Sequence, residues 1–111
     1  MYSQGDIYLA NLNPTLGQEQ SGIGPVLIVS GNSFNQNNNI FIVCPITSKL
    51  KKYYGDLIVK PNKTNGLSEI SEILGFQIRT LSKERLIKKI GNIEKFEVDN
   101  VLNGINILLT L

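Results

Sequence analysis

The order of apolar and polar positions divides the chain into a strand-like stretch and a helical tail. Asp6 to Leu12 alternates, with Ile7 and Leu9 on the inward face and Tyr8 and Ala10 on the other, which predicts a half-buried strand. Asn13 to Gly24 holds three glycines and one proline and predicts a long loop with the composition of a mobile segment. Pro25 then opens the unbroken run Val26-Leu27-Ile28-Val29, the pattern of a strand buried on both faces. The asparagine-rich Gly31–Asn39 reads as a surface loop or turn. Ile40 to Ile46 is a second buried strand, with Pro45 marking a bulge or an edge near its end. Short strands follow at Asp56–Lys60 and Glu72–Ile78, with a turn at Lys63–Gly66 between them. Ser82 caps a single helical turn over Lys83–Leu86, and Ile87–Ile93 alternates weakly as a closing strand.

Beyond Glu94 the period changes. Val98, Val101, Leu102, Ile105, Leu108 and Leu109 form one stripe of an α-helix, and Glu94, Glu97 and Asp99 place negative charge in its first turns. Gly104 weakens the middle of that helix on propensity alone. No repeat or linker interrupts the pattern, so residues 1–111 form one domain. The predicted fold class is mainly β: a small, strongly curved antiparallel sheet of short strands with a C-terminal helix.

Composition narrows the chemistry. Ile, Leu and Val account for 35 of 111 residues, enough for a sizeable core and too many for a disordered chain. The formal charge of +2 neither announces nor excludes a nucleic-acid partner. No apolar run approaches a membrane span and no signal peptide precedes Met1-Tyr2-Ser3-Gln4. The single cysteine, Cys44, cannot form an intramolecular disulfide, which points to the reducing cytoplasm. Placed mid-strand among apolar neighbours, it reads as core rather than nucleophile. Histidine is absent, which removes triads, histidine metal sites and paired-histidine ribonuclease chemistry. Arg79 and Arg85 are the only arginines, so work at a phosphate falls to them, to lysines or to backbone N–H groups.

Polar groups collect at strand ends: Glu19-Gln20-Ser21-Gly22 before one buried strand, Thr47-Ser48 after the next, and Gln77-Ile78-Arg79-Thr80 at a third. Ordinary strand termini account for these as well as a site does. Lys49, Lys51 and Lys52 with Tyr53 and Tyr54 suit phosphate contacts and base stacking, or equally a solvated loop.

Six blocks in order resolve the choice. Gly5–Ala10, Asn13–Gly22, Pro25–Ser30, Pro45-Ile46-Thr47-Ser48, Gln77–Leu81, and Arg85-Leu86 through Ile90-Gly91 resemble the MazF/PemK toxin family over nearly the whole chain. The resemblance implies an SH3-like barrel shared with the gyrase poison CcdB. It also implies a metal-independent, sequence-specific endoribonuclease that cuts single-stranded messenger RNA through its own 2′-hydroxyl. The products would be a 2′,3′-cyclic phosphate and a 5′-hydroxyl. The resemblance further implies a homodimer neutralised by the disordered C-terminal segment of an antitoxin.

In that family an arginine and a threonine carry the chemistry. The threonine maps onto Thr47. The arginine precedes the proline of the Pro-Val-Leu-Ile-Val segment, and here that position is Gly24, in Gly22-Ile23-Gly24-Pro25. The resemblance also assigns Glu19, Gln20 and Ser21 to a loop that holds RNA, and Gln77 and Arg79 to the strand end lining the site. Phe76 stands where some relatives carry an acid, so no role transfers there. Loss of the arginine predicts a nearly inactive chain unless Arg79 replaces it. Two other functions remain in view. A CcdB-like gyrase poison is disfavoured because that relative acts through a tail ending Trp-Gly-Ile, whereas this chain lacks tryptophan and ends Leu109-Thr110-Leu111. An inactive toxin remnant that only binds antitoxin is the other.

Overall fold

A computed structural model describes all 111 residues. Seven strands form in the order β1 (Asp6–Asn11), β2 (Ile23–Ile28), β3 (Ile40–Thr47), β4 (Leu57–Val59), β5 (Ser71–Ile73), β6 (Arg79–Ser82) and β7 (Leu86–Asn92). Helix α1 (Asn32–Asn37) joins β2 to β3, and α2 (Lys95–Leu109) ends the chain. All ladders are antiparallel: β1 lies between β7 and β2, β2 between β1 and β3, and β5 between β3 and β4. No ladder joins β7 to β6 or β4, so the curled sheet has the expected class but is not a closed barrel.

The period-2 alternation divides the core. Val26 and Ile28 of β2, with Phe41 and Val43 of β3, face a cluster that includes Tyr8, Ala10, Leu12 and Leu81. Leu27, Val29, Cys44 and Ile46 face a second cluster, beneath Val98, Val101 and Ile105 of α2. Two opposed cores explain the continuous apolar runs of β2 and β3. They also correct the reading of β1 as half-buried. Ile7 joins the helix-side core while Tyr8 and Ala10 join the other, and Leu9 is the partly buried member.

Pro45 sits where β3 changes neighbours. Ile40–Val43 pairs with β6, whereas Ile46 and Thr47 pair with β5. The proline lies between these two ladders, level with Val26 of β2, and its carbonyl accepts the Leu74 N–H at 2.9 Å.

Three local expectations are corrected. Gly31–Asn39 is not all loop. Its asparagines stabilise one short helix by bonding carbonyls a turn back, Asn37 Nδ2 to Ser33 and Asn38 Nδ2 to Phe34, while buried Asn35 bonds the Ser30 carbonyl. The expected strand Glu72–Ile78 stops at Ile73 and continues as a 3-10 turn, Gly75–Gln77, whose first N–H is taken by Asp56. The Ser82 hydroxyl donates to the Glu84 side chain rather than capping the 3-10 turn Lys83–Arg85. Helix α2 matches its predicted stripe at Val98, Val101 and Ile105, with Glu94 and Glu97 forming a capping box, but Leu102 and Leu109 face solvent. No helix is long and apolar enough to cross a membrane.

Candidate active site

The long β1–β2 loop defines the largest concavity. Its residues Pro14–Gln20 and the segment Phe76–Thr80 enclose an open cleft of about 840 Å³, where Leu16, Phe76 and Ile78 are the only large apolar contributors. The loop is tethered rather than loose. Gln77 holds it with both ends of its amide: Oε1 accepts the Gln20 N–H at 2.7 Å and Nε2 donates to the Gln18 carbonyl at 3.3 Å. Glu19 Oε1 accepts the Leu16 N–H at 2.7 Å, closing a turn within the loop. The two arginines staple the loop's base. Arg79 Nη1 donates to the Leu12 carbonyl at 3.2 Å, and Arg85 Nη1 donates to the carbonyls of Asn11 and Asn13. Arg79 makes no ion pair, since the two salt bridges of the molecule are Lys89–Asp6 and Lys95–Asp99.

Glu19, Gln20, Gln77 and Arg79 thus meet around one cleft. Thr47, Gly24 and the lysines do not line it. Val26 of β2 pairs with Pro45 of β3 at the end of their ladder, and Gly24 and Thr47 each lie two residues beyond that pair on the two adjacent strands. Gly24 is half-buried and pairs with Ala10 on its other side. A Cβ built there meets no atom within 4 Å, so nothing in the fold requires glycine at this position. Thr47 is 6% exposed and its Oγ1 accepts the Lys49 N–H at 3.1 Å, leaving the hydroxyl proton without a protein acceptor. Ser21 is exposed.

Sequence reasoning missed a pair of acids beside Thr47. Glu72 pairs with Thr47 in the β3–β5 ladder and is fully buried. Its carboxylate accepts three consecutive backbone N–H groups: Lys51 at 2.6 Å and Lys52 at 2.7 Å on Oε1, and Tyr53 at 3.0 Å on Oε2. Asp56 Oδ1 accepts the Gly75 N–H at 3.0 Å, while its buried Oδ2 accepts no hydrogen bond. Burial first, then a hydrogen bond to Glu72, push the Asp56 carboxyl up to about 7, so it holds the proton shared by the pair. Burial opposes ionisation of Glu72, but the Asp56 proton and three amides outweigh it and hold Glu72 below the usual carboxylate range. The available signal was an acid between the apolar Ile70 and Ile73 in a strand pattern.

This pair has a pH consequence. Folded Asp56 keeps its proton to about 7, whereas the unfolded chain releases it near 3.8, so stability falls as pH rises through that window. Glu72 acts oppositely, because its depressed pKa contributes stability that is lost as pH falls below 4.5 through its folded value. The melting temperature is therefore expected to peak near pH ~4 and to drop by roughly 5 °C by pH ~7, after discounting for the partial exposure of Asp56. Asp56→Asn keeps a permanent donor to Glu72 and should flatten that alkaline limb in thermal melts; an unchanged slope would remove the assignment. Cys44 takes no part in the site. Burial, with Asp56 nearby, pushes its thiol up to about 12, consistent with its place in the core.

The class defined by these features is a small antiparallel β domain, backed by one helix, with a polar cleft under a tethered loop. The chain belongs to the PemK/MazF family: the family model described as PemK-like, MazF-like toxin of type II toxin-antitoxin system matches residues 3–109. A curated relative named Endoribonuclease MazF, from Staphylococcus saprophyticus, is 38% identical over 112 aligned positions spanning 100% of this chain and 93% of that protein. The crystal structure of MazF from Deinococcus radiodurans superposes with a TM-score of 0.81 at 24% identity, covering 100% of this chain and 97% of its own. A MazE–MazF crystal structure from the same organism gives a TM-score of 0.76 at 24% identity, with 99% and 96% coverage. At that identity the structural matches speak for the fold.

Proposed function

We propose that this chain is the toxin component of a type II toxin–antitoxin system. It is built to cleave single-stranded messenger RNA in the cytoplasm at a short sequence, without a metal, and it is catalytically impaired as it stands. The observation that carries the reading is the family match over residues 3–109, supported by Gly24 and Thr47 lying on adjacent strands, each two residues past the last β2–β3 pair. Cleavage through the 2′-hydroxyl requires removal of that proton, stabilisation of the crowded phosphorane and protonation of the departing 5′-oxygen. Thr47 supplies one neutral donor to a non-bridging oxygen. Gly24 supplies nothing where the family pattern places a guanidinium. Glu19, Gln20, Ser21, Gln77 and Arg79 hold the RNA, as do Lys49, Lys51 and Lys52. The hydrogen bonds of Gln77 to Gln18 and Gln20 support a role in shaping the loop that meets the bases.

By analogy with the MazE–MazF structure, an antitoxin is the expected protein partner, binding through a disordered segment to a homodimer of this chain. One observation favours a second reading. The missing side chain at Gly24 fits a toxin remnant that binds antitoxin and no longer cuts. Mapping 5′ ends on a long transcript, with EDTA present and no gyrase, separates the alternatives once Gly24→Arg is introduced. Discrete cuts leaving cyclic phosphates support the nuclease. Antitoxin binding with no cuts supports the remnant and ends the nuclease reading.

A further inference from the structure

We infer that Glu72 is a positioning residue: it fixes the Lys49–Tyr53 segment beside Thr47, making that segment the wall that grips the RNA backbone. The inference rests on the ribonuclease reading above and adds to it the residue that holds the basic segment in place.

The segment leaves β3 directly after Thr47, and its first tie is the Lys49 N–H on the Thr47 hydroxyl, at 3.1 Å. Three successive amides, of Lys51, Lys52 and Tyr53, then turn inward onto one carboxylate. Converging amides need an unusual backbone. Lys52 has φ +56°, the only non-glycine residue of the chain in the left-handed region. That conformation is unfavourable for a side-chain-bearing residue, and charge-assisted bonds to a buried anion offset the cost. The far end is pinned as well, because the Tyr53 ring packs on Phe76 at 4.4 Å and Phe76 lines the cleft.

Turning the amides inward sends the side chains out. Lys49, Lys51 and Lys52 are exposed, and none takes part in a salt bridge. The one acid beneath them engages backbone rather than ammonium groups. Three uncompensated cations within four residues, flanked by the exposed Tyr53 and Tyr54, suit a single-stranded polyanion with bases to stack.

Positioning and simple electrostatics predict opposite signs. Removing a buried negative charge beneath a cationic segment should tighten RNA binding if only charge matters, and weaken it if the charge holds the segment in place. The chain as it exists suits the measurement, since a cleavage-impaired protein leaves the probe intact. Binding of a fluorescein-labelled mixed-sequence 20-nucleotide RNA is followed by anisotropy across a sodium chloride series. Lys51→Ala with Lys52→Ala should weaken binding on the order of tenfold and reduce the log K against log salt slope by roughly 1.4, about 0.7 per lost phosphate contact. Glu72→Val should reproduce much of that loss. Glu72→Gln, which keeps an acceptor for Lys51 and Lys52, should rescue it, and the triple variant should be no weaker than the lysine pair.

Amide hydrogen exchange at residues 51–53 provides a readout independent of RNA, faster in Glu72→Val and near normal in Glu72→Gln. If Glu72→Val does not fold, Glu72→Gln against Glu72→Ala decides. Unchanged or tighter binding in Glu72→Val or Glu72→Ala, a Glu72→Gln variant as weak as these, or RNA binding indifferent to the lysine pair, overturns the inference and leaves the nuclease reading standing. No RNA binding by the unmodified chain overturns both.

Discussion

Arginine placed at position 24 is expected to raise the cleavage rate on a long single-stranded RNA by at least ~10² over the present chain. The local structure tolerates the change. Position 24 lies in a strand, at an ordinary φ, with no atom within 4 Å of an added Cβ. Replacing glycine within a strand also removes an entropic cost of roughly 0.5–1 kcal/mol, so the variant should fold at least as well. The chemical gain has two sources. A positioned proton-transfer group contributes ~10²–10⁴, and a charged donor aimed at the developing phosphorane a further ~10²–10³. The two are not additive, because one guanidinium would serve both tasks with Thr47. Single-turnover rates measure the effect, and Thr47→Val in the restored background should return the rate towards the starting level. A folded Gly24→Arg protein no faster than its parent would falsify the assignment of that position. Brisk cutting by the unmodified chain, abolished by Arg79→Ala, would instead transfer the role to Arg79, which now donates to the Leu12 carbonyl.

Gly104→Ala should be severely damaging to stability for so small a substitution, costing about 3 kcal/mol or more. On helix propensity alone the change is favourable by nearly 1 kcal/mol, and the sequence reading of Gly104 as a weak point follows from that rule. Packing reverses the sign. A Cβ at Gly104 would stand 2.0 Å from the Gly55 carbonyl oxygen, so the backbones of α2 and the turn before β4 touch. That turn carries Asp56, whose carboxyl bonds the Gly75 N–H and shares a proton with Glu72. Forcing α2 away therefore disturbs the helix-side core and the acid pair together. For a domain with a total stability of 5–15 kcal/mol, the melting temperature should fall by roughly 10–20 °C. A helix-stabilising rise in melting temperature would show that α2 and the turn are not in backbone contact.

What was legible in the sequence was whatever a short window encodes. The runs Val26–Val29 and Ile40–Ile46 gave β2 and β3, and the stripe from Val98 to Ile105 gave α2, because side-chain period follows directly from backbone geometry. The blocks around Thr47, Gln77 and Gly24 identified the family for the same reason, as contiguous residues in fixed order. Local patterning failed where a distant group sets the backbone. The strand expected through Ile78 ends early because Asp56, 19 residues upstream, takes the Gly75 N–H and Ile105 packs close to the Gly75 backbone. The asparagine run became a helix through side chains bonding their own preceding turn, which leaves no apolar period to read.

The chain's order of residues by itself determined the element types, the family and the absence of a guanidinium beside Pro25. Tertiary structure alone decided that both faces of the sheet are core, that Pro45 divides β3 between two partners, that Gly104 must be glycine and that Glu72 grips the basic segment. Each of these depends on atoms brought together across long separations in sequence. Burial is what gives such meetings their energy, since a carboxylate or a carbonyl removed from water must find its partner in the fold.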